Sequence, residues 1–128
     1  MIDYKKPLPP QIAALSRQAL LEEAHHGTNA TRALALAEIA HRSLRDESLA
    51  QAVILLARQA NNMQARLMGT ISVTHYALTE FLRANPQVAR EAVMQMLADW
   101  PEPDRADFLW YLKAELGHNA LAEMLAAA

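Results

Sequence analysis

The chain contains no cysteine. Disulfides, thiolate metal sites and thiol nucleophiles are therefore excluded, in keeping with a reducing, cytoplasmic setting. Glycine occurs only at Gly27, Gly69 and Gly117, and aromatic residues make up 5% of the sequence. So little glycine and so few β-favouring aromatics count against a sheet protein. No apolar run reaches the ~18 residues of a membrane-spanning helix, and MIDYKKPLPP lacks the apolar core of a signal peptide. Strong positive charge is also missing. The net charge is −2, which counts against a nucleic-acid partner, because phosphate contacts need clustered cations.

What is present is alanine and leucine. About half of the 128 residues are apolar (52%). Roughly a fifth are alanine, above ordinary usage, and Ala and Leu are the strongest apolar helix formers. The length suits one domain with its own core. The fold class expected is all-α, a multi-helix bundle of about six helices. Residues 1–9 form an extended, proline-rich arm and residues 10–128 a single helical domain. Charge is uneven. The middle, 49–85, holds Arg58, Arg66 and Arg83 against Glu80 alone, whereas the C-terminal third is acidic.

Local signals set the boundaries. Pro10 suits a first helical turn, and that helix should run to about His26 and stop at Gly27 in a left-handed cap. Thr28 or Asn29 caps the next helix, whose inner face is Ala33, Leu36, Ala37, Ala40 and Leu44 and which ends near Arg45 or Asp46. Asn85-Pro86 starts another, with Ala89, Val93, Met96, Leu97 and Trp100 on one face. Trp100-Pro101-Glu102-Pro103 ends it, and Asp104 opens a helix carrying Phe108, Leu109, Leu112 and Leu116 up to Gly117. A last short helix is expected over Asn119–Ala127.

Between them lies Ser48–Ala84, capped by Asp46 or Ser48. An apolar seam runs through it: Leu49, Val53, Leu56, Ala60, Met63, Leu67, Ile71, Thr74, Leu78, Phe81, in steps of four and three. Gly69 and the β-branched run after it weaken a helix, yet the seam keeps phase across them. One long central helix, bent at Gly69, is the expectation. At 1.5 Å per residue it would span about 55 Å, against a diameter near ~36 Å for a domain of this size. A second face bears Ala50, Ile54, Ala57, Ala65 and Met68. Two apolar faces predict a homo-oligomer, most simply a dimer, with Leu49, Val53, Ile54, Leu56, Met63, Leu67, Met68 and Ile71 at the interface.

Three constellations could carry chemistry. Glu22/His25, Glu23/His26, Glu38/His41 and Glu115/His118 have the Glu-x-x-His spacing that places two metal ligands on one helix face. Glu38, His41, Glu22 and His25 are the weak metal candidates, against the plainer reading of solvated helix faces. No cofactor is called for. Residues 64–82 faintly resemble the Ala-x-x-x-Gly core of a degenerate helix-turn-helix, although Thr70, His75 and Tyr76 stand where buried aliphatics belong. The amides Gln59, Asn61, Asn62 and Gln64 would form a register-fixing layer, line a small-ligand pocket or simply face solvent.

No nucleophile elbow, phosphate loop or zinc-protease motif is present. The functional expectation is a small cytoplasmic, non-enzymatic interaction or regulatory protein of adaptor or inhibitor type. Trp110, Tyr111, Asp104 and Asp107 are its candidate partner-binding residues, because aromatics among acids suit a basic protein partner of unknown identity. DNA regulation and metal binding are the alternatives.

Overall fold

A computed structural model describes residues 10–117. Among them are eight α-helices: α1 Pro10–Ala13, α2 Arg17–His26, α3 Asn29–Arg42, α4 Glu47–Ala57, α5 Ala60–Gln64, α6 Val73–Ala84, α7 Pro86–Asp99 and α8 Asp104–Leu116. A 3-10 turn, Ser43–Arg45, joins α3 to α4, and a small hairpin, β1 Arg66–Met68 and β2 Ile71–Ser72, precedes α6. The chain is an all-α, multi-helix bundle. None of the described helices is long and apolar enough to cross a membrane. The arm 1–9 and the predicted helix 119–127 lie outside the described residues.

Two helices make the centre. Along α3, Ala33 to Ala37 together with Ile39 and Ala40 are buried. Along α6 every residue from Val73 to Leu82 is buried. Alanines on α3 let the two axes approach closely, and α2, α4, α7 and α8 cover what remains. Helices buried all round occupy the inside of a bundle.

Most boundaries follow local chemistry. Ser16 caps α2, accepting from the Ala19 N–H at 3.1 Å. Thr28 caps α3, accepting from the Thr31 N–H at 3.2 Å. Asp46 caps α4, accepting from the Ser48 N–H at 3.0 Å. Each satisfies a first-turn donor that has no partner within its helix. Pro86 opens α7 as expected, but Asn85 makes no side-chain cap. Its Nδ2 donates to Ser43 Oγ at 3.2 Å instead.

Four expectations need correction. The helix starting at Pro10 is interrupted, with residues 14–16 separating α1 from α2. Gly27 has φ −69°, not a left-handed cap; it is glycine because a Cβ there would sit 2.3 Å from Thr31 Oγ1 and 2.7 Å from the Glu23 carbonyl oxygen. Leu44 is 64% exposed, because the chain tightens into the 3-10 turn and leaves the α3 face.

The largest correction concerns 48–84, which is not one helix. The chain leaves helical geometry after Ala57, makes the short α5, and reverses at Gly69 (φ +50°). Arg66 pairs with Ser72 and Met68 with Ile71 across that turn. The ends are fixed by side chains from elsewhere in the segment. Asn62 Nδ2 donates to the Leu56 carbonyl at 2.8 Å, and Thr74 Oγ1 to the Ala57 carbonyl at 2.6 Å. They satisfy carbonyls that a continuing helix would have used. The seam marked the inside only in part: Leu49, Val53, Leu56, Ile71, Thr74, Leu78 and Phe81 are buried, Met63 and Leu67 are half-buried, and Ala60 is exposed. A corner and a hairpin also need inward residues every few positions, so continuity of phase did not require continuity of helix.

The break removes the helix-turn-helix as well. Residues 66–72 form the hairpin, and the would-be recognition helix is α6, enclosed by the bundle. It has no exposed face to lay in a groove.

Candidate functional site

Where α7 ends, Trp100 turns inward and is 7% exposed. Its ring centroid lies 5.1 Å from that of His75 on α6 and 5.1 Å from that of Phe108 on α8, with His75 and Phe108 5.5 Å apart. This triangle of rings ties three helices together at distances usual for aromatic pairs. The outer side of the same junction is open. Trp100 and Pro101 join Arg58, Met63, Met96 and Asp99 around a pocket of about 230 Å³. That is below the ~300–1,000 Å³ of small-molecule sites and suits a single inserted side chain. Two methionines give it walls that adapt to an occupant's shape. Arg58 and Asp99 at its rim are exposed and make no ion pair among the described residues.

His75 underlies this junction. Its Nδ1 accepts the Ser72 N–H at 3.2 Å, so the neutral ring carries its proton on Nε2. Among the described residues neither that nitrogen nor Trp100 Nε1 has a hydrogen-bond partner. Burial pushes the His75 pKa down to about 4. Asp104 opposes that shift, through its charge and its nearby backbone, but lies outside hydrogen-bonding geometry. The imidazole is thus a neutral packing group at ordinary pH.

A charged chain crosses the opposite end of α6. Arg83 donates to Glu80 Oε1 at 2.6 Å and to Glu115 Oε2 at 2.9 Å, and also reaches the Glu115 carbonyl at 3.1 Å. His41 Nε2 stands 3.9 Å from Glu80 Oε2, an ion-pair rather than a hydrogen-bond separation. The Glu80 carboxylate raises the His41 pKa, against partial burial, with a smaller contribution from Glu38. Arg42 Nε donates to Glu38 Oε2 at 2.7 Å and its Nη2 to the carbonyls of Ala13 and Leu15. These groups fasten α3, α6 and α8 to one another.

The predicted site residues separate clearly. Among the described residues no three His, Asp or Glu side chains gather as metal ligands. Glu38 and His41 belong to the ion-pair chain, while His25 Nδ1 contacts Gln59 Oε1 at 3.0 Å and Glu22 is exposed. Of the predicted interface, Leu49, Val53, Leu56 and Ile71 are buried within the chain itself, so they have no face left for a second subunit. Ile54, Met63, Leu67 and Met68 are half-buried. The amides hold the α4–α5 corner: Asn62 is buried, and Asn61 Nδ2 donates to the His25 carbonyl at 3.4 Å. Gln64 is exposed.

Of the partner-binding set, Tyr111 is buried at 4% exposure and Asp104 is engaged by Arg66 at 3.2 Å. Trp110 is 65% exposed, and Asp107 is half-exposed with no ion pair among the described residues. Sequence reasoning missed the pocket. Met96 and Trp100 were legible as an inward face, but nothing along the chain announced that Arg58 and Met63 would arrive beside them.

Compared with known proteins, the chain matches no family model, no curated protein and no solved structure. The fold therefore defines the class, a small all-α bundle, and the surface is the guide to function.

Proposed function

We propose that this is a cytoplasmic, non-enzymatic interaction protein of regulatory type, acting by binding another polypeptide and forming a homo-oligomer. One observation carries the reading. Trp110 presents its indole to solvent on the same helix that buries Phe108, Tyr111 and Leu112. Tryptophan is among the residues most enriched at the energetic centres of interfaces, and leaving most of it in water costs hydrophobic free energy that a partner recovers. Asp107, one turn before it on the same helix, favours a partner carrying a basic group at its contact surface. The two-faced central helix does not support this reading, because it does not exist as one element.

Photo-crosslinking tests the proposal. A photoreactive aromatic residue placed at position 110 should yield covalent adducts with polypeptide on irradiation, both in cells and in purified protein. Adducts absent at 110, or equally abundant from an exposed control position on α2 such as Gln18, would dispose of it.

A further inference from the structure

Two helix ends meet at the pocket, and their carbonyls are satisfied differently. At the end of α4 the Leu56 and Ala57 carbonyls accept from Asn62 Nδ2 and Thr74 Oγ1, and that of Ile54 accepts from the Arg58 N–H. The Arg58 guanidinium is not needed there and stands exposed at the rim. The end of α7 is different. Its last turn holds no basic residue and closes on Asp99, an acid where the helix dipole favours a cation. The Leu97 carbonyl accepts from Arg105 Nε at 3.2 Å, while Pro101 has no N–H with which to cap another. The rim thus has a positive pole at Arg58 and a negative one at Asp99.

The poles do not neutralise each other. No ion pair joins Arg58 to Asp99, or either to another described residue, so they stand beyond the ~4 Å of such a pair. Between them the walls are apolar: Met63, Met96, Trp100 and Pro101. A sphere of the pocket's volume is about 8 Å across. An α-amino acid head group with a charge-assisted hydrogen bond on each side also spans about 8 Å.

The walls are held by an arrangement that costs stability. Among the described residues four buried side-chain atoms have no hydrogen-bond partner, and three of them are Trp100 Nε1, His75 Nε2 and Asn62 Oδ1. Trp100 is a wall, His75 packs against its ring, and Asn62 makes the corner that brings Arg58 and Met63 opposite α7. Buried polar atoms without partners are destabilising, and such exceptions are expected where a site is held in shape.

We propose that the pocket binds a free, large apolar α-amino acid such as leucine, methionine or phenylalanine. Its carboxylate meets Arg58, its ammonium meets Asp99 and the end of α7, and its side chain lies between Met63, Met96 and Trp100. A volume of about 230 Å³ admits one such side chain with a compact head group and excludes a drug-sized ligand. Methionine walls adapt to straight, branched or aromatic occupants, so the zwitterion is required while the side chain is chosen loosely. Trp110 does not line this pocket, so the interaction reading above and this one stand or fall by separate experiments.

Calorimetric titration of the full chain with L-leucine, L-methionine and L-phenylalanine should give saturable one-to-one binding with Kd at or below about 1 mM. Three analogues test each part of the ligand: glycine lacks the side chain, isocaproate is leucine without its ammonium, and isoamylamine is leucine without its carboxylate. Each should bind at least about tenfold more weakly than leucine, the scale of one charged hydrogen bond. Arg58→Met and Asp99→Asn are surface changes and should leave the thermal midpoint unaltered. In Arg58→Met, leucine should lose its advantage over isoamylamine and keep that over isocaproate; in Asp99→Asn the two preferences should exchange. No saturation up to about 20 mM leucine, isocaproate binding as tightly as leucine, or both variants binding leucine like the parent would each overturn the proposal.

Discussion

Ser72 and His75 are bound to each other twice. The Ser72 side-chain oxygen accepts the His75 N–H at 3.1 Å, and His75 Nδ1 accepts the Ser72 N–H at 3.2 Å. This reciprocal capping box starts the most buried of the described helices, with an imidazole in the place usually held by Glu or Gln. The same ring closes the aromatic triangle behind the pocket. One side chain thus sets where α6 begins and how α7 and α8 lie against it.

That double role should make the fold acid-sensitive. The folded-state pKa of about 4 lies below the ordinary 6.5, so between these values the unfolded chain binds a proton that the folded chain does not. Stability should fall as pH drops through this window, by roughly 3 kcal/mol in total. Protonated Nδ1 also ceases to accept from Ser72. In His75→Gln the reciprocal bond is kept and the titration removed. Denaturant midpoints measured from pH 7.5 to 4 should show a lower starting stability, from lost ring contacts, and a clearly shallower acid slope. An unchanged slope would assign the acid sensitivity to other groups.

Arg83→Met tests the charged chain. Glu80, with 10% of its side chain exposed, would keep only His41 as an ion-pair partner among the described residues. A cost of about 2–3 kcal/mol is expected, beneath the range for a fully buried pair because the Arg83 side chain is 34% exposed. His41 should partly compensate at low pH. Its pKa is raised by Glu80, so its contribution is complete below pH 6.5 and disappears as pH rises through the folded value. The Arg83→Met deficit should therefore be larger at pH 8.5 than at pH 6. Equal deficits at the two values would show that His41 does not support Glu80.

Thr74→Val keeps shape and removes the hydroxyl that donates to the Ala57 carbonyl. The end of α4 then has a buried, unpaired acceptor, for an expected loss of about 1–2 kcal/mol. Asn62→Ala, which frees the Leu56 carbonyl, should cost a similar amount. Hydrogen exchange should report faster opening of α4's last turn in either variant, with α8 protection unchanged relative to global stability.

Two glycines should respond to alanine for different reasons. At Gly27 the added Cβ meets Thr31 Oγ1 and the Glu23 carbonyl oxygen at distances no carbon tolerates. The α2–α3 corner must move, and a thermal shift equivalent to about 2 kcal/mol is expected. At Gly69 nothing lies within 4 Å, but φ is +50°. The cost there is conformational, about 1 kcal/mol. Gly69→Asn should recover part of it, since Asn tolerates this backbone region, whereas Gly27→Asn should recover nothing.

Legibility followed the range of each determinant. Asp46 before α4, Thr28 before α3, Pro86 opening α7, and the stretch from Trp100 to Asp104 between α7 and α8 were readable because a cap or proline acts on its own turn. Gly27 and Asn85 stood at the right places with other roles, since a close contact with Thr31 and a hydrogen bond to Ser43 depend on packing. The pocket was not readable, because its walls come from residues 58–63 and 96–101. Trp110 was singled out by residue type, and its solvent exposure came only with the helix's orientation.

For the central stretch the division is sharpest. The sequence by itself determined which positions of 48–84 supply the core, through few charges and a regular supply of apolar residues, whereas Leu55, Arg58 and Ala60 of the same stretch face solvent. Tertiary structure decided that the interior is a helix, a corner, a hairpin and a second helix. The carbonyls at the end of α4 found donors in Asn62 and Thr74, and folding the stretch back let α3 and α6 enclose each other. Periodicity reports which residues leave water; whether the backbone between them runs straight depends on which partners its end groups can reach.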